Sequence, residues 1–389
     1  MSRGLFALLV AQFFSAFADN AILFTVIAML MQGGQTDGWY IPALQSAFLA
    51  AFVILAPWVG SFADNRSKPR VLIIGNLFKA LGVILILLAL EPIIAYAIIG
   101  IGAAIYGPAK YGLLPEMVGH EQLVKANGLI EGSTILAIIL GTVAGARLAD
   151  WSVPWALAIV FACYLFSIAI SFLIPKLPAR GAEAGAALPK FIHMMSGFFG
   201  TARARFSMLG ASLFWGASAV LRVLIVAWAP LVLFTKNASD VAELTLFLAI
   251  GIIIGAALVP KLIPIEYLRR ARLAAYLMGV FILVLSLVDS LWPARAVLFV
   301  IGIAGGLFVV PVNAALQEIG HKTIGSGGAV AIQHFFENLA MLVGVGAYTY
   351  ATTAGAQAIP TIFVLGTVVL IATLVVAWHL PPDPNRAKN

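Results

Sequence analysis

Asp19 and Asn20 stand side by side in the middle of an apolar run, residues 4–31, of a 389-residue chain. An ionised Asp at bilayer depth costs about 2.5 to 3.5 kcal/mol even on the mildest scale, so a carboxylate there implies a wet cavity and a substrate or ion path. Arg222 lies at nearly the matching depth of a later apolar run and is the natural opposite charge. Other polar residues at membrane depth come in helical pairs. Asn127 with Glu131, and Gln333 with Glu337, are four residues apart and share one helix face each, with Asn338 beside the second pair. Those faces are expected to point inward, toward a substrate or a gate. Lys79, in the third run, reads as a structural or snorkelling lysine.

Other chemistries find little support. Cys163 is the single cysteine, which leaves no disulfide framework and no thiolate metal site. The five histidines, at 120, 193, 321, 334 and 379, are dispersed, with neither HExxH nor paired-carboxylate spacing, so no metal site is expected. A Walker A loop is absent, which argues against direct drive by ATP. The run from Gly100 to Ile105 only grazes a dinucleotide fingerprint and has no strand before it. No cofactor is expected. A membrane-embedded acyltransferase would need a His paired with a carboxylate at a membrane face, and His120 with Glu121 lacks a further acid. The expectation is a protein that is not an enzyme.

The elements that position these residues follow from composition. Hydrophobic residues make up 62% of the chain and charged ones 10%, with a mean hydropathy of +1.05, against roughly 25% charged in an ordinary soluble domain. Runs long enough for a hydrocarbon core of about 30 Å fall at 4–31, 41–63, 71–90, 93–113, 128–148, 153–174, 206–233, 243–262, 273–291, 294–316, 327–349 and 358–379. The chain reads as an all-α polytopic membrane protein with twelve transmembrane helices. The first run is too long and too polar at its centre for a cleaved signal peptide, and is expected to remain as the first helix.

Orientation follows from the 23 Lys and Arg residues. Lys79 and Arg222 lie inside runs. Only Arg147, Lys236 and Arg295 fall on one side, and all the others fall on the opposite side, so both termini and the long middle loop are expected in the cytoplasm. The net charge of +7 and pI near 9.6 are thereby assigned to anionic lipid headgroups, with no nucleic-acid partner expected.

The chain also repeats itself. A linker at 175–205, rich in Gly, Ala and basic residues, separates runs 1–174 from runs 206–389, six on each side. Gly100 to Lys110, with Pro108, is echoed by Gly302 to Asn313, with Pro311, and Asn127 and Glu131 are echoed by Gln333 and Glu337. Parallel six-helix repeats are the mark of the major facilitator superfamily, whose site lies between two pseudo-symmetric bundles near the midplane. The segment Gly60-Ser-Phe-Ala-Asp64-Asn-Arg66-Ser-Lys68-Pro-Arg70 resembles that superfamily's cytoplasmic signature, with Pro69 for a basic residue and Ser67 for a Gly. The resemblance implies a gate in which Asp64 caps the start of run eleven near Gly325 to Gly328, with Arg66, Lys68, Arg70 and Glu116 around it.

A narrower likeness rests on Gly107-Pro108-Ala109-Lys110-Tyr111-Gly112-Leu113-Leu114-Pro115-Glu116 together with Phe17-Ala18-Asp19-Asn20. With these, essentially the whole chain resembles the bacterial lysophospholipid transporter family. That resemblance implies flipping of lysophosphatidylethanolamine and lysophosphatidylglycerol from the outer to the inner leaflet of the bacterial inner membrane. It also implies a separate cytoplasmic acyltransferase or acyl-ACP synthetase that restores the second chain, and a monomer. On this view Asp19 meets an ammonium, Asn20 a phosphate or hydroxyl, and Arg222 exchanges Asp19 for the phosphate. Lys110 and Tyr111 either receive the departing phosphate or, for Lys110, snorkel to lipid. Phe13, Phe14, Phe17, Phe214 and Trp215 are candidates for an acyl-chain groove. A competing expectation of the same fold is a proton-coupled exporter of amphipathic drugs or small solutes, with Asp19 or Glu131 as the proton carrier. The glycine pairs Gly128/Gly132, Gly141/Gly145, Gly251/Gly255 and Gly302/Gly306 are expected to serve helix packing.

Overall fold

The computed structural model describes residues 3–34, 37–118, 123–175, 187–263, 265–323 and 326–380. Among them the structure is helical throughout. Six helices come first: α1 (Arg3–Gln32), α2 (Tyr40–Asp64), α3 (Lys68–Leu87), α4 (Pro92–Met117), α5 (Leu123–Trp151) and α6 (Val153–Ser171). A shorter helix, α7 (Ala187–Phe198), follows. Six more complete the order: α8 (Ala202–Val232), α9 (Ala238–Leu262), α10 (Ala271–Leu285), α11 (Leu291–Thr323), α12 (Ser326–Thr353) and α13 (Ala358–Ala377).

Ten of these helices are long and apolar enough to cross a membrane. The other two of the expected twelve are α10, with 15 residues, and α12, which carries Gln333, His334, Glu337 and Asn338. In α10 the helix ends at Leu285, where the apolar run was expected to continue to 291, because Ser286 and Leu287 turn the chain. Helix starts follow local chemistry. Pro69, Pro92 and Pro154 occupy first turns, where the missing amide hydrogen costs nothing. Thr201 caps α8 by accepting from the Ala204 amide.

The linker contains a helix that its Gly, Ala and basic content concealed. In α7, Leu188, Phe191, Ile192 and Met195 recur at helical spacing, and Phe191 packs edge-on against Phe335 at 5.3 Å between ring centres.

The chain forms two compact units. The first comprises Met1–Asp37, Ala43–Lys190 and Asn237–Ala242; the second comprises Gly38–Pro42, Phe191–Lys236 and Glu243–Asn389. In the first, α1 packs on α5 and α6, and α3 on α4 and α6. In the second, α8 packs on α12 and α13, and α10 on α11 and α13, which is the same pattern moved on by one repeat. The start of α9 belongs to the first unit because Asp150, near the end of α5, accepts from the Ala238 and Ser239 amides and the Ser239 hydroxyl.

Small residues set how closely the helices approach. A Cβ on Gly145 would meet the Ala21 Cα at 2.5 Å, and one on Gly251 would meet the Gly302 Cα at 2.9 Å. Gly132 departs from the expectation: among the described residues nothing lies within 4 Å of its Cβ position. Large apolar side chains such as Ile54, Phe172, Leu277 and Phe363 are exposed, as a lipid solvent permits.

Candidate functional site

Within the first unit, three helices contribute polar side chains to one seam. Helix α1 supplies Ser15 and Asp19, four residues apart; α3 supplies Asn76 and Lys79, and α6 supplies Tyr164 and Ser167, each pair three apart. Each spacing places both side chains on one helix face, and the packing of α6 on both α1 and α3 turns the three faces together. The carboxylate of Asp19 receives Lys79 Nζ at 2.7 Å on Oδ2 and the Tyr164 hydroxyl at 2.8 Å on Oδ1. Lys79 also donates to Ser15 Oγ at 2.9 Å, and Ser15 donates to Asn76 Oδ1 at 2.8 Å. Asn76 donates to Ser167, which donates to the Ala11 carbonyl, so the chain of bonds ends on backbone. The Lys79 ammonium lies 4.7 Å from the centre of the Tyr106 ring.

Of the two readings of Lys79, this geometry keeps the structural one. Its side chain is 1% exposed and therefore does not snorkel, and it is the cation that holds Asp19. Asp19 itself remains 23% exposed although each of its carboxylate oxygens accepts one bond. The signal lay in the spacing of Asn76 with Lys79 and of Tyr164 with Ser167, one polar face on each of two apolar runs. Asn20, the neighbour of Asp19, donates to the Ala16 carbonyl of its own helix at 2.9 Å. Gln12, one turn earlier, is buried and donates to Thr134 on α5.

Elsewhere in the first unit, Lys110 is buried, with its ammonium 4.3 Å from the centre of the Tyr111 ring, a cation–π distance. Of the gate residues, Arg66 is exposed and folds over the Phe62 ring at 4.0 Å, Arg70 is exposed, and Lys68 is buried. The side chains of Asp64, Glu116, Asn127 and Glu131, and residues 324–325 where the Asp64 cap was expected, lie outside the described residues.

The second unit holds a separate polar cluster. Gln333 on α12 donates to Asn313 on α11 at 3.1 Å and to Glu337 at 2.7 Å, so one amide ties both helices to the carboxylate. The other oxygen of Glu337 lies 3.2 Å from His334 Nδ1, and Glu337 is buried while His334 remains 45% exposed. Asn338 donates to the His334 carbonyl at 2.7 Å. The expected pairing of Gln333 with Glu337 on one face is therefore present, and Asn313 and His334 are members that sequence reasoning passed over. Arg222 is half-buried on α8 of this unit.

The aromatic candidates divide by unit. Phe14 packs edge-on to Phe166 at 4.7 Å, and Phe13 stacks on Phe17. Phe214 contacts Trp215 and, with Leu221, Leu248, Ile252, Met278 and Ile282, lines a small apolar cleft. Among the described residues no cluster of three or more His, Cys, Asp or Glu could hold a metal ion.

Each unit thus carries its own polar cluster: in the first, a partly exposed carboxylate bonded to a buried ammonium; in the second, a buried carboxylate held by an amide and an imidazole. The family model of the Major Facilitator Superfamily matches residues 8–345. The chain is 42% identical to the lysophospholipid transporter LplT of Photorhabdus laumondii, over 97% of this chain and 96% of that protein. It is 43% identical to LplT of Shigella flexneri serotype 5b, covering 92% and 91%. It is 42% identical to LplT of Escherichia coli O9:H4, covering 95% and 94%. In fold it is similar to the human organic anion transporter MFSD10 (TETRAN), with a TM-score of 0.65 at 14% identity over 96% of this chain. All-helical among its described residues, with ten helices long and apolar enough to cross a membrane, this chain belongs to the lysophospholipid transporter family of the Major Facilitator Superfamily.

Proposed function

We propose that the protein moves lysophospholipids, lysophosphatidylethanolamine and lysophosphatidylglycerol among them, from the outer to the inner leaflet of a bacterial inner membrane. The observation that carries this reading is identity above 40% to lysophospholipid transporters along nearly the whole chain. The partly exposed Asp19 carboxylate in a helix that buries mostly apolar side chains supports it. The bundles 1–174 and 206–389, joined by the cytoplasmic linker 175–205, alternate access to a headgroup site formed by Asp19, Asn20, Arg222, Glu131, Gln333, Glu337 and Asn338. Phe14, Trp215 and the cleft beside Phe214 accommodate the acyl chain. Lys110 and Tyr111 receive the phosphate near the cytoplasmic mouth, and Asp64, Arg66, Lys68, Arg70 and Glu116 gate it. Both termini face the cytoplasm, and the monomer delivers its cargo to a separate acyltransferase or acyl-ACP synthetase.

Uptake of labelled lysophospholipid into proteoliposomes, with and without a proton gradient, tests this reading. Uptake is expected, and Asp19→Ala and Arg222→Ala should each abolish it in protein that remains inserted. No lipid uptake under either condition would overturn it. A second reading, proton-coupled export of amphipathic solutes, draws on the His334–Glu337 pair at 3.2 Å, a titratable couple at the edge of the second cluster. It would replace the first if a proton gradient drove drug efflux in vesicles that fail to take up lysolipid.

A further inference from the structure

Lys79 has no part in the headgroup contacts proposed above, yet it is the most deeply buried cation described in the first unit, at 1% exposure. It stands behind Asp19, with the Tyr106 and Tyr164 rings at 4.7 and 5.7 Å and with Ser15 as a further acceptor. Asp19 is 23% exposed and Lys79 1%, so a guest meets Asp19 and not the ammonium. Each carboxylate oxygen is engaged once, by Tyr164 or by Lys79, and a carboxylate offers about four lone-pair sites. Acceptor capacity therefore remains for an N–H or O–H donor that reaches the partly exposed side chain.

What differs with and without Lys79 is the field. A lone carboxylate in a low-dielectric site repels a phosphate and attracts an ammonium, whereas a carboxylate paired at 2.7 Å presents a nearly neutral dipole. Lysophosphatidylglycerol carries a net negative charge and offers only hydroxyl donors. Lysophosphatidylethanolamine is zwitterionic and offers an ammonium. A bare Asp19 would admit the second and reject the first.

We propose that Lys79 sets the headgroup charge that this site accepts: by cancelling the charge of Asp19 from behind, it lets a net-anionic lysophospholipid share the site with a zwitterionic one. It is a positioning residue, acting through Asp19, and the inference rests on the lysophospholipid reading of the same site.

The test measures the relative affinity of purified protein for the two lysolipids, by competition of each against labelled lysophosphatidylethanolamine, beside uptake into proteoliposomes. Lys79→Met should weaken lysophosphatidylglycerol at least about tenfold more than lysophosphatidylethanolamine, a factor equivalent to about 1.4 kcal/mol. Asp19→Asn, which leaves the ammonium uncompensated, should bias the protein in the opposite direction. The double variant Asp19→Asn/Lys79→Met, neutral again, should return the ratio to within about twofold of the parent. A purely structural lysine would weaken both lipids by the same factor. Equal loss for both in Lys79→Met, or an Asp19→Asn bias of the same sign, overturns the proposal. Should Lys79→Met not accumulate, the sign of the Asp19→Asn bias and the ratio in the double variant decide it. A parent protein that takes up neither lipid would defeat the transport reading itself. A parent that takes up both, with variants that keep its ratio, would defeat only the role of Lys79.

Discussion

Replacing Gly302 by alanine should destabilise the second unit measurably, although it adds one methyl group. Helices α9 and α11 approach through glycines on both sides: a Cβ on Gly302 would lie 2.9 Å from Gly251 Cα and 3.0 Å from Ile252 N, and would collide with the Leu248 carbonyl oxygen. All three opposing atoms are backbone, so no rotamer change relieves the overlap. Carbon contacts normally lie at about 3.5 to 4.0 Å, so the helices must part by roughly 1 Å along this seam. Overpacking of this kind costs about 1 to 3 kcal/mol. At about 2 to 4 °C per kcal/mol for a unit of this size, a cost near 2 kcal/mol lowers the melting temperature by about 4 to 8 °C. The control is Gly132→Ala, where nothing lies within 4 Å and the added methyl should give the α5 backbone about 0.5 to 1 kcal/mol of helix propensity. Both variants are read by thermal melts of detergent-purified protein. Gly302→Ala melting within about 1 °C of the parent, or Gly132→Ala losing as much as Gly302→Ala, would refute the argument from backbone contact.

Other side chains give further expectations. Asp19→Ala strands the Lys79 ammonium at 1% exposure and should cost about 3 to 5 kcal/mol, while Asp19→Ala/Lys79→Met recovers most of it; equal melting of the single and double variants would contradict the pairing. Asp150→Ala removes the acceptor for two amides and a hydroxyl at the start of α9 and should cost about 1 to 3 kcal/mol, with faster hydrogen exchange at Ala238 and Ser239; unchanged exchange there would count against the cap. Arg203→Gln breaks an ion pair to Glu318 at 2.7 Å, but both side chains are 35% exposed, so the loss should stay below about 1 kcal/mol; a large fall in melting temperature would show that the pair is more shielded than its exposure implies.

The helices were legible because lipid removes the choices that make soluble folds ambiguous. Without water to bond stray amides, an apolar run of about twenty residues must be helical. Each of the twelve expected runs accordingly coincides with a helix, with ends moved where a Pro or a tight turn intervenes. Asp19, Gln333 and Glu337 stood out for the same reason, as polar groups whose burial needs a cause. The linker helix α7 was missed because its apolar periodicity covers only 12 residues within a stretch whose composition suggests a loop.

Sequence by itself determined that this chain is a bundle of membrane helices in two repeats, that Asp19 had to find a partner, and which family motif it carries. Depth along a helix is a one-dimensional coordinate, and it follows directly from counting residues. Which cation meets that carboxylate depends on how helices are rotated and packed, and that is set by contacts far apart in the chain. Only the tertiary structure could bring Lys79 of α3 and Tyr164 of α6, sixty and 145 residues away, onto the two oxygens of Asp19. The same packing decided that Gly302 interlocks with Gly251 while Gly132 meets none of the described residues, although all three glycines sit at the same spacing in their motifs.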